Sequence, residues 1–366
     1  MPEVKKYTIA EPYLNLQGGL LEAPFWEKGR DSLRFVDIVK KKLYFLNPKE
    51  GPSSLQTWDL DFNIGTTADI EGTEKEFIFG GKYGYGIMNR ETGESRWIRK
   101  FWNDEERKPD GGGKPGKGET REIRMRSNDG AVDAAGRFFV GAMNDPVVTE
   151  TFTDEGSYSL PSFLPTPFRP ATSHPLPSNA LHFNSVRVGL NSNLSRPGLL
   201  FRLDPDGSLH RVKEQITIPN GISWTSDNQT IYFTNSPTQK ITKYPYDLST
   251  GSIDWEQGTT FFQCPYEGGF PDGHAQDEEG CFWIALFGTG KVVRVNPQGE
   301  MIAQIEFPTR CVTCPAFVGT ELFVTSAAEE EPEHYPWSTK CQGSLYRIDV
   351  GVRGAPRNRY RNQSGA

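Results

Sequence analysis

The apolar positions of this chain fall into short runs separated by polar turns, and the runs come in pairs. "SLRFVDIVKKKLYFLNP" from Ser32, "EFIFGGKYGYGIMNRETG" from Glu76 and "TIYFTNSPTQKITKYPYD" from Thr230 each read as strand, turn, strand. The same form recurs in "RFFVGAM" from Arg137 with "GLLFRLDPDG" from Gly198, and in "CFWIALFGTGKVVRVNPQG" from Cys281. It appears once more in "ELFVTS" from Glu321 with "GSLYRIDV" from Gly343. Short runs rich in β-branched and aromatic residues, bounded by Gly, Pro, Asn and Asp, predict strands rather than helices. A third strand often follows each pair, as in "SRWIRKF", and a further one precedes it, as in "GISWT" or "APFWE".

Four short antiparallel strands repeated six times, at roughly forty to fifty residues per repeat, predict an all-β fold, a six-bladed β-propeller. The last unit lacks an outermost strand, whereas "KKYTIAE" near the N-terminus is a spare one. Pairing the two closes the ring through the N-terminal strand and removes an exposed edge. Residues 1–366 are therefore expected to form a single propeller domain. A β-sandwich or two smaller β domains is the alternative, and repeats that continue without a linker argue against it. Two stretches break the period. Residues 102–122, Gly-rich and charged, are expected to be a mobile loop. Residues from about 146 to 197 interrupt the third blade, and their Pro, Ser and scattered aromatics suggest a cap over one end of the propeller.

The period gives meaning to three similar phrases, "SNDGAVDAAGRFFVGA", "IPNGISWTSDNQTIYF" and "FPDGHAQDEEGCFWIA". Glu22 precedes Leu33 by 11 residues, Asn128 precedes Phe138 by 10, Asn220 precedes Ile231 by 11 and Asp272 precedes Phe282 by 10. In a propeller the innermost strands run along the central axis, so equivalent positions form a ring at one end of the channel. Glu22, Asn128, Asn220 and Asp272 are expected to meet there, with the remaining ring positions near Thr66 and Val312. Their oxygens are hard ligands that suit Ca²⁺, Mg²⁺ or Mn²⁺. Asn-Gly and Asp-Gly are also ordinary turn residues; it is the shared register that points to a site.

Composition adds limits. The chain is 12% aromatic with 38 Gly and 27 Pro, which suits short strands and turns. A net charge of −7 without a basic face gives no footprint for nucleic acid. No apolar run approaches the length of a membrane span. The start "MPEVKKYTIAEPYLNL" does not resemble a signal peptide, and "RNQSGA" carries no readable targeting signal. The five Cys are irregularly spaced, and the lone "CVTC" of Cys311 and Cys314 reads as buried strand thiols rather than a redox or zinc pair. A cytoplasmic protein in a reducing compartment is the expectation.

From about Leu21 to Asp349 the chain resembles the senescence marker protein/regucalcin and gluconolactonase family of metal-dependent, six-bladed propeller lactonases. "EAPFW", the three phrases above and the terminal "LFVTSA…GSLYRI" carry the resemblance. It implies one divalent metal ion held by Glu22, Asn220 and Asp272, with Ca²⁺ expected and Mg²⁺, Mn²⁺ or Zn²⁺ as alternatives. It implies substrate binding by Arg126 and Asn128, and Asp272 as general base. The cation would polarise a lactone carbonyl and lower the pKa of a bound water, while the carboxylate takes the proton.

Some positions depart from the family pattern. "GAMNDP" offers Asp145 where relatives carry an acidic residue that contacts sugar hydroxyls, and Asn235-Ser236 stands where Asp-Ser is common. His274 follows "PDG" at a position commonly apolar in relatives. It shares side-chain parity with Asp272 on a strand, so it is expected to face the channel as a lining residue or a proton shuttle. The leading expectation is a metal-dependent hydrolase that opens the ring of a small-molecule lactone. A second is isomerisation or cyclisation of a larger natural product under the insertion, which carries Phe163, Leu164, Phe168, Leu181 and Phe183. A third is a non-enzymatic calcium-binding regulator.

Overall fold

In the computed structural model, which describes residues 4–107, 120–149 and 198–363, the repeated pairs fold into six antiparallel sheets arranged as a propeller. The N-terminal segment supplies β1 (Lys5–Thr8) and β2 (Leu14–Asn15). Blade one is β3 (Leu21–Glu27), β4 (Ser32–Asp37), β5 (Lys42–Leu46) and β6 (Gln56–Asp59). Blade two is β7 (Ile64–Asp69), β8 (Glu76–Gly81), β9 (Gly84–Asn89) and β10 (Ser95–Lys100). Blade three is β11 (Met125–Val132), β12 (Phe138–Asn144), β13 (Gly198–Leu203) and β14 (Leu209–Ile216).

Blade four is β15 (Pro219–Trp224), β16 (Thr230–Asn235) and β17 (Lys240–Asp247), the last paired with both β18 (Ser252–Ile253) and β19 (Thr259–Gln263). Blade five is β20 (Phe270–Gln276), β21 (Phe282–Phe287), β22 (Lys291–Val295) and β23 (Met301–Glu306). Blade six is β24 (Val312–Val318), β25 (Glu321–Ser326) and β26 (Ser344–Asp349). Neighbouring inner strands touch around a closed circuit, β3, β7, β11, β15, β20, β24 and back to β3.

Face-to-face packing of blades explains the sequence pattern. A strand covered on both faces reads as a near-continuous apolar run, as in β12 and β13, which are buried at every residue. The outermost β6 and β10 are mostly exposed and carry the charged residues. Between blades two and three, Phe101 stacks on Phe201 with ring centroids 4.5 Å apart. Trp102, the first residue of the expected loop, is buried edge-on against Phe201. At the other end of that loop, Arg121–Arg124 form a helical turn, α1, whose N-cap Thr120 accepts from the amide of Ile123. The rest of the loop, residues 108–119, lies outside the described residues. So does the insertion beyond α2 (Pro146–Thr149), and with it the expected cap.

The N-terminal segment closes the ring, but not through the strand singled out in the sequence. Leu14–Asn15 of β2 pair antiparallel with Ser344 and Leu345 and complete blade six. The spare strand β1 instead adds parallel to β23 and covers the outer edge of blade five. Both edges are thus paired, which serves the same end.

Residues 351–363 run across the propeller at the end where the inner strands finish. Gly354 donates to Gly319 O, Ala355 to Gln276 O and Tyr360 to Asp69 O. The Asn358 side chain donates to Val132 O, and Arg357 Nη1 reaches Pro24 O at 3.1 Å. Tyr360 is fully buried in the core shared by blades two and three. This strap ties blades five and six to blades one, two and three. All five cysteines are buried and unbridged. No described helix is long and apolar enough to cross a membrane.

Candidate metal and substrate site

Each of the six innermost strands carries a bulge near its start. A bulge inserts an extra residue, bends the strand and re-aims its side chains. The bulges fall at Ala23–Pro24 beside Glu22, Gly65, Asn128–Asp129, Gly221 beside Asn220, Asp272–Gly273 and Thr313–Cys314. Ala23, next to Glu22, takes a left-handed φ of 50°, a strained conformation for a residue with a side chain. The glycines of "PNG" and "PDG" permit close approach. A Cβ at Gly221 would lie 2.3 Å from His274 Nδ1, and one at Gly273 would lie 2.4 Å from Cys314 Sγ.

In blades two and six the corresponding bulges fall at Gly65 and Thr313–Cys314, beside the expected positions near Thr66 and Val312. Thr313 turns its hydroxyl to Leu21 O at 2.6 Å, so blade six adds no free polar group at this level. The polar side of the ring is Glu22, Asn128, Asn220 and Asp272, all buried.

A chain of hydrogen bonds fixes the amides. Arg126 Nη1 donates to Asn128 Oδ1 at 2.8 Å, and Asn128 Nδ2 donates to Asn220 Oδ1 at 3.0 Å and Pro219 O at 2.9 Å. Asn220 Nδ2 donates to Ser236 Oγ at 2.8 Å, and the Ser236 hydroxyl donates to Pro271 O at 2.7 Å. Ser236 has one proton and gives it to a carbonyl, so it can only accept from Asn220. Asn220 is thereby locked with its Nδ2 on Ser236 and its Oδ1 turned to Asn128. Asn235, its neighbour, accepts from the amides of Thr217 and Ile218 and holds the approach to the strand.

The carboxylates sense one another. Burial pushes the Glu22 carboxyl up to about 8, with the charge of Asp129 acting in the same direction. Burial, then Glu22 and Asp129, raises Asp272 well above the usual carboxylate range. Asp129 itself is raised to about 6 by burial, although part of its surface reaches solvent. Asp129 follows Asn128 in the bulge of β11, which puts its charge within reach of Glu22 and Asp272. Arg126 offsets part of this charge, acting on both Glu22 and Asp272.

Asp145 is buried at the rim, with Lys82 Nζ 3.4 Å from Oδ2 and Arg126 Nε 3.7 Å from Oδ1. Lys82, in the turn between β8 and β9, was not foreseen, because a lysine in a Gly-rich turn is the commonest kind of surface residue.

His274 sits differently from the parity expectation, because the bulge at Asp272–Gly273 breaks the alternation. Its Nε2 lies 2.7 Å from Ser223 Oγ, and its ring packs edge-on against Phe282 at 5.4 Å. Burial holds it down at about 3, so it is neutral, reaching from β20 to Ser223 of β15. Gly221→Ala would drive a methyl into this ring and the Asp272 carbonyl. Overpacking of this kind typically destabilises by about 1–3 kcal/mol, to be measured by denaturant unfolding. A variant as stable as the parent would show that His274 has room to move.

Among the described residues no three His, Cys, Asp or Glu side chains are grouped so as to hold a metal ion. A three-ligand set here needs the amide oxygen of Asn220. The donors that converge are all oxygens, and two of the three are carboxylates that repel each other, so the set suits a hard dication.

Residues 20–328 match the family model described as SMP-30/Gluconolactonase/LRE-like region. The chain is 34% identical over 342 residues to the pentonolactonase XacC of Haloferax volcanii, covering 92% of each. It is 26% identical over 338 residues to regucalcin of Xenopus laevis, covering 91% of this chain and 92% of that one. Among solved structures, the calcium-binding protein regucalcin of Agrobacterium tumefaciens aligns with a TM-score of 0.72. That alignment spans 98% of this chain and 100% of the other at 20% identity, a likeness of fold.

Proposed function

The chain belongs to the SMP-30/gluconolactonase/LRE-like family, and from that premise we propose that it is a metal-dependent lactonase. The observation that carries the reading is the oxygen donor set Glu22, Asn220 and Asp272, with the Asn220 amide locked by Ser236. A divalent cation, Ca²⁺ first, would be held by these three residues. When bound it supplies Lewis acidity toward the lactone carbonyl and the attacking water. Its fit rests on like charge: Asp129 raises the proton affinity of Glu22, and Glu22 and Asp129 raise that of Asp272, while Arg126 is a partial counter-charge to Glu22 and Asp272. A sugar-type lactone agrees with the pentonolactonase named among the relatives.

The protein's own groups then have distinct tasks. Asp272 takes a proton from the water as its oxygen forms the new bond to the lactone carbon. The ring C–O bond breaks next, and the same proton returns to the ring oxygen, leaving a hydroxy acid. Asn128, whose two amide protons go to Asn220 Oδ1 and Pro219 O, lines the substrate side and holds Arg126, which presents its guanidinium to the substrate, and Asp145 accepts from substrate hydroxyls at the rim. His274, neutral and bonded to Ser223, ties β20 to β15 rather than shuttling protons.

A pH-indicator assay over sugar, aliphatic and aromatic lactones, with and without chelator, tests the reading. Hydrolysis of sugar-type lactones that chelator abolishes is the expected result. Calcium binding without turnover of any lactone would instead fit a regulator.

A further inference from the structure

The strap of residues 351–363 brings one side chain toward the site from the end of the channel opposite the mouth. Ala355 is bonded to Gln276 of blade five, Asn358 to Val132 of blade three and Tyr360 to Asp69 of blade two, so the backbone between 355 and 358 crosses near the axis. The strap lies close on the inner strands: a Cβ at Gly354 would sit 2.2 Å from Phe317 Cβ of β24. Two of its arginines meet surface carboxylates, Arg359 Nη1 at 3.6 Å from Glu74 Oε1 and Arg361 Nε at 2.9 Å from Glu71 Oε2. Arg357 turns inward instead. Its Nη1 donates to Pro24 O at 3.1 Å, and its guanidinium lies 5.3 Å from the Phe25 ring centroid. Pro24 belongs to the bulge beside Glu22, two residues or roughly 7 Å of strand away.

The charge of Arg357 reaches across the channel. Burial raises the proton affinity of Asp129 in blade three, and Arg357 acts against that rise. Burial holds His274 of blade five down, and Arg357 adds to the effect. Burial, then Glu22 and Asp129, raises Cys314 of blade six, and Arg357 opposes it. A side chain that touches blade one and acts on blades three, five and six stands close to the axis. The acidic group of Glu22, Asp129 and Asp272 thus has an arginine on either side, Arg126 toward the mouth and Arg357 toward the far end. Three carboxylates against two arginines leave the group acidic and open to a cation. Arg357 is itself exposed, so water screens part of its field.

We propose that Arg357 is a positioning residue of the cation site: entering from the far end, it offsets the charge of Asp129 and thereby sets how tightly Glu22, Asn220 and Asp272 hold a divalent cation. The inference rests on the metal-dependent reading above and adds the strap to its working parts. A guanidinium at this distance repels an incoming dication and takes up charge of Asp129 that would otherwise attract it. Without it the site should bind more tightly. Damage to a merely structural tie would do the reverse.

Calorimetric titration of Ca²⁺ into the chelator-stripped, full-length protein is the test. Arg357→Met keeps the length of the side chain and removes its charge. It should tighten Ca²⁺ binding by about three- to tenfold, the order expected of a partly screened unit charge in a protein channel. Arg357→Lys should stay within about twofold of the parent. Unchanged or weaker binding in Arg357→Met, or equal tightening in Arg357→Lys, would overturn the proposal. If the parent binds no Ca²⁺, the metal-dependent reading fails on its own, and metal-free melting decides whether Arg357 serves Asp129. Arg357→Met should then lower the melting temperature of the parent by about 2 °C more than that of Asp129→Asn, and equal shifts would refute the coupling.

Discussion

Asp272→Asn, with metal bound, is expected to keep its structure and lose about 10²–10⁴-fold in kcat, the usual contribution of a general base. The substitution is nearly isosteric and retains an oxygen donor, so it separates proton transfer from cation binding. Asp272 accepts from the Gly273 amide and lies on a bulge where Gly273 leaves no room for displacement past Cys314. The asparagine should therefore sit where the aspartate sits. Single-turnover kinetics at saturating cation, with metal content measured on the same sample, give the result. Near-normal turnover would move the base elsewhere. His274 is poorly placed for it, being neutral and engaged with Ser223. Asp129, raised to about 6 and partly open to solvent, would be the next candidate.

Glu22→Gln is expected to weaken divalent-cation affinity by about 100-fold or more, beyond the 10–100-fold typical of losing a residue that merely orients a ligand. The effect on the metal-free protein has the opposite sign. A buried carboxylate facing Asp129 and Asp272 opposes folding when charged, and glutamine removes that charge while still accepting from the Ala23 amide at 3.0 Å. Metal-free Glu22→Gln should thus melt above the metal-free parent, whereas with cation present the parent should melt higher. Crossing melting curves are specific to a ligand carboxylate. Parallel curves, with a full equivalent of metal retained by folded Glu22→Gln and Asp272→Ala proteins, would remove Glu22 and Asp272 from the cation site.

The propeller was legible because blades that pack on both faces write continuous apolar runs, and the runs repeat. The ring of Glu22, Asn128, Asn220 and Asp272 was legible for the same reason: counting from a neighbouring strand works wherever strands are in register. What counting does not announce is the bulges, which add residues beside Thr66, at Thr313–Cys314 and between Pro271 and His274, where the alternation linking His274 to Asp272 is broken.

Other features arise only when distant segments meet. Lys82 and Asp145 lie 63 positions apart, and Arg34 is buried at 0% exposure between Glu27 and Asp69 of adjoining blades. Arg90 joins them at 2.7 Å from Glu27 and 2.6 Å from Asp69, forming an interior ion cluster from residues that read as surface charges. The strap of residues 351–363 has few apolar positions, and what holds it is backbone pairing to the ends of inner strands, for which composition gives no signal. The choice of β2 over β1 to complete blade six is of the same kind.

The most direct test of the account is to strip the protein with chelator and titrate a divalent cation back while following lactone hydrolysis. Turnover should be lost on stripping and return in proportion to added cation, saturating at one equivalent, and Glu22→Gln should fail to recover over the same range. Full hydrolysis by the stripped protein, or recovery by Glu22→Gln at the same stoichiometry, would contradict a reaction centred on Glu22, Asn220 and Asp272.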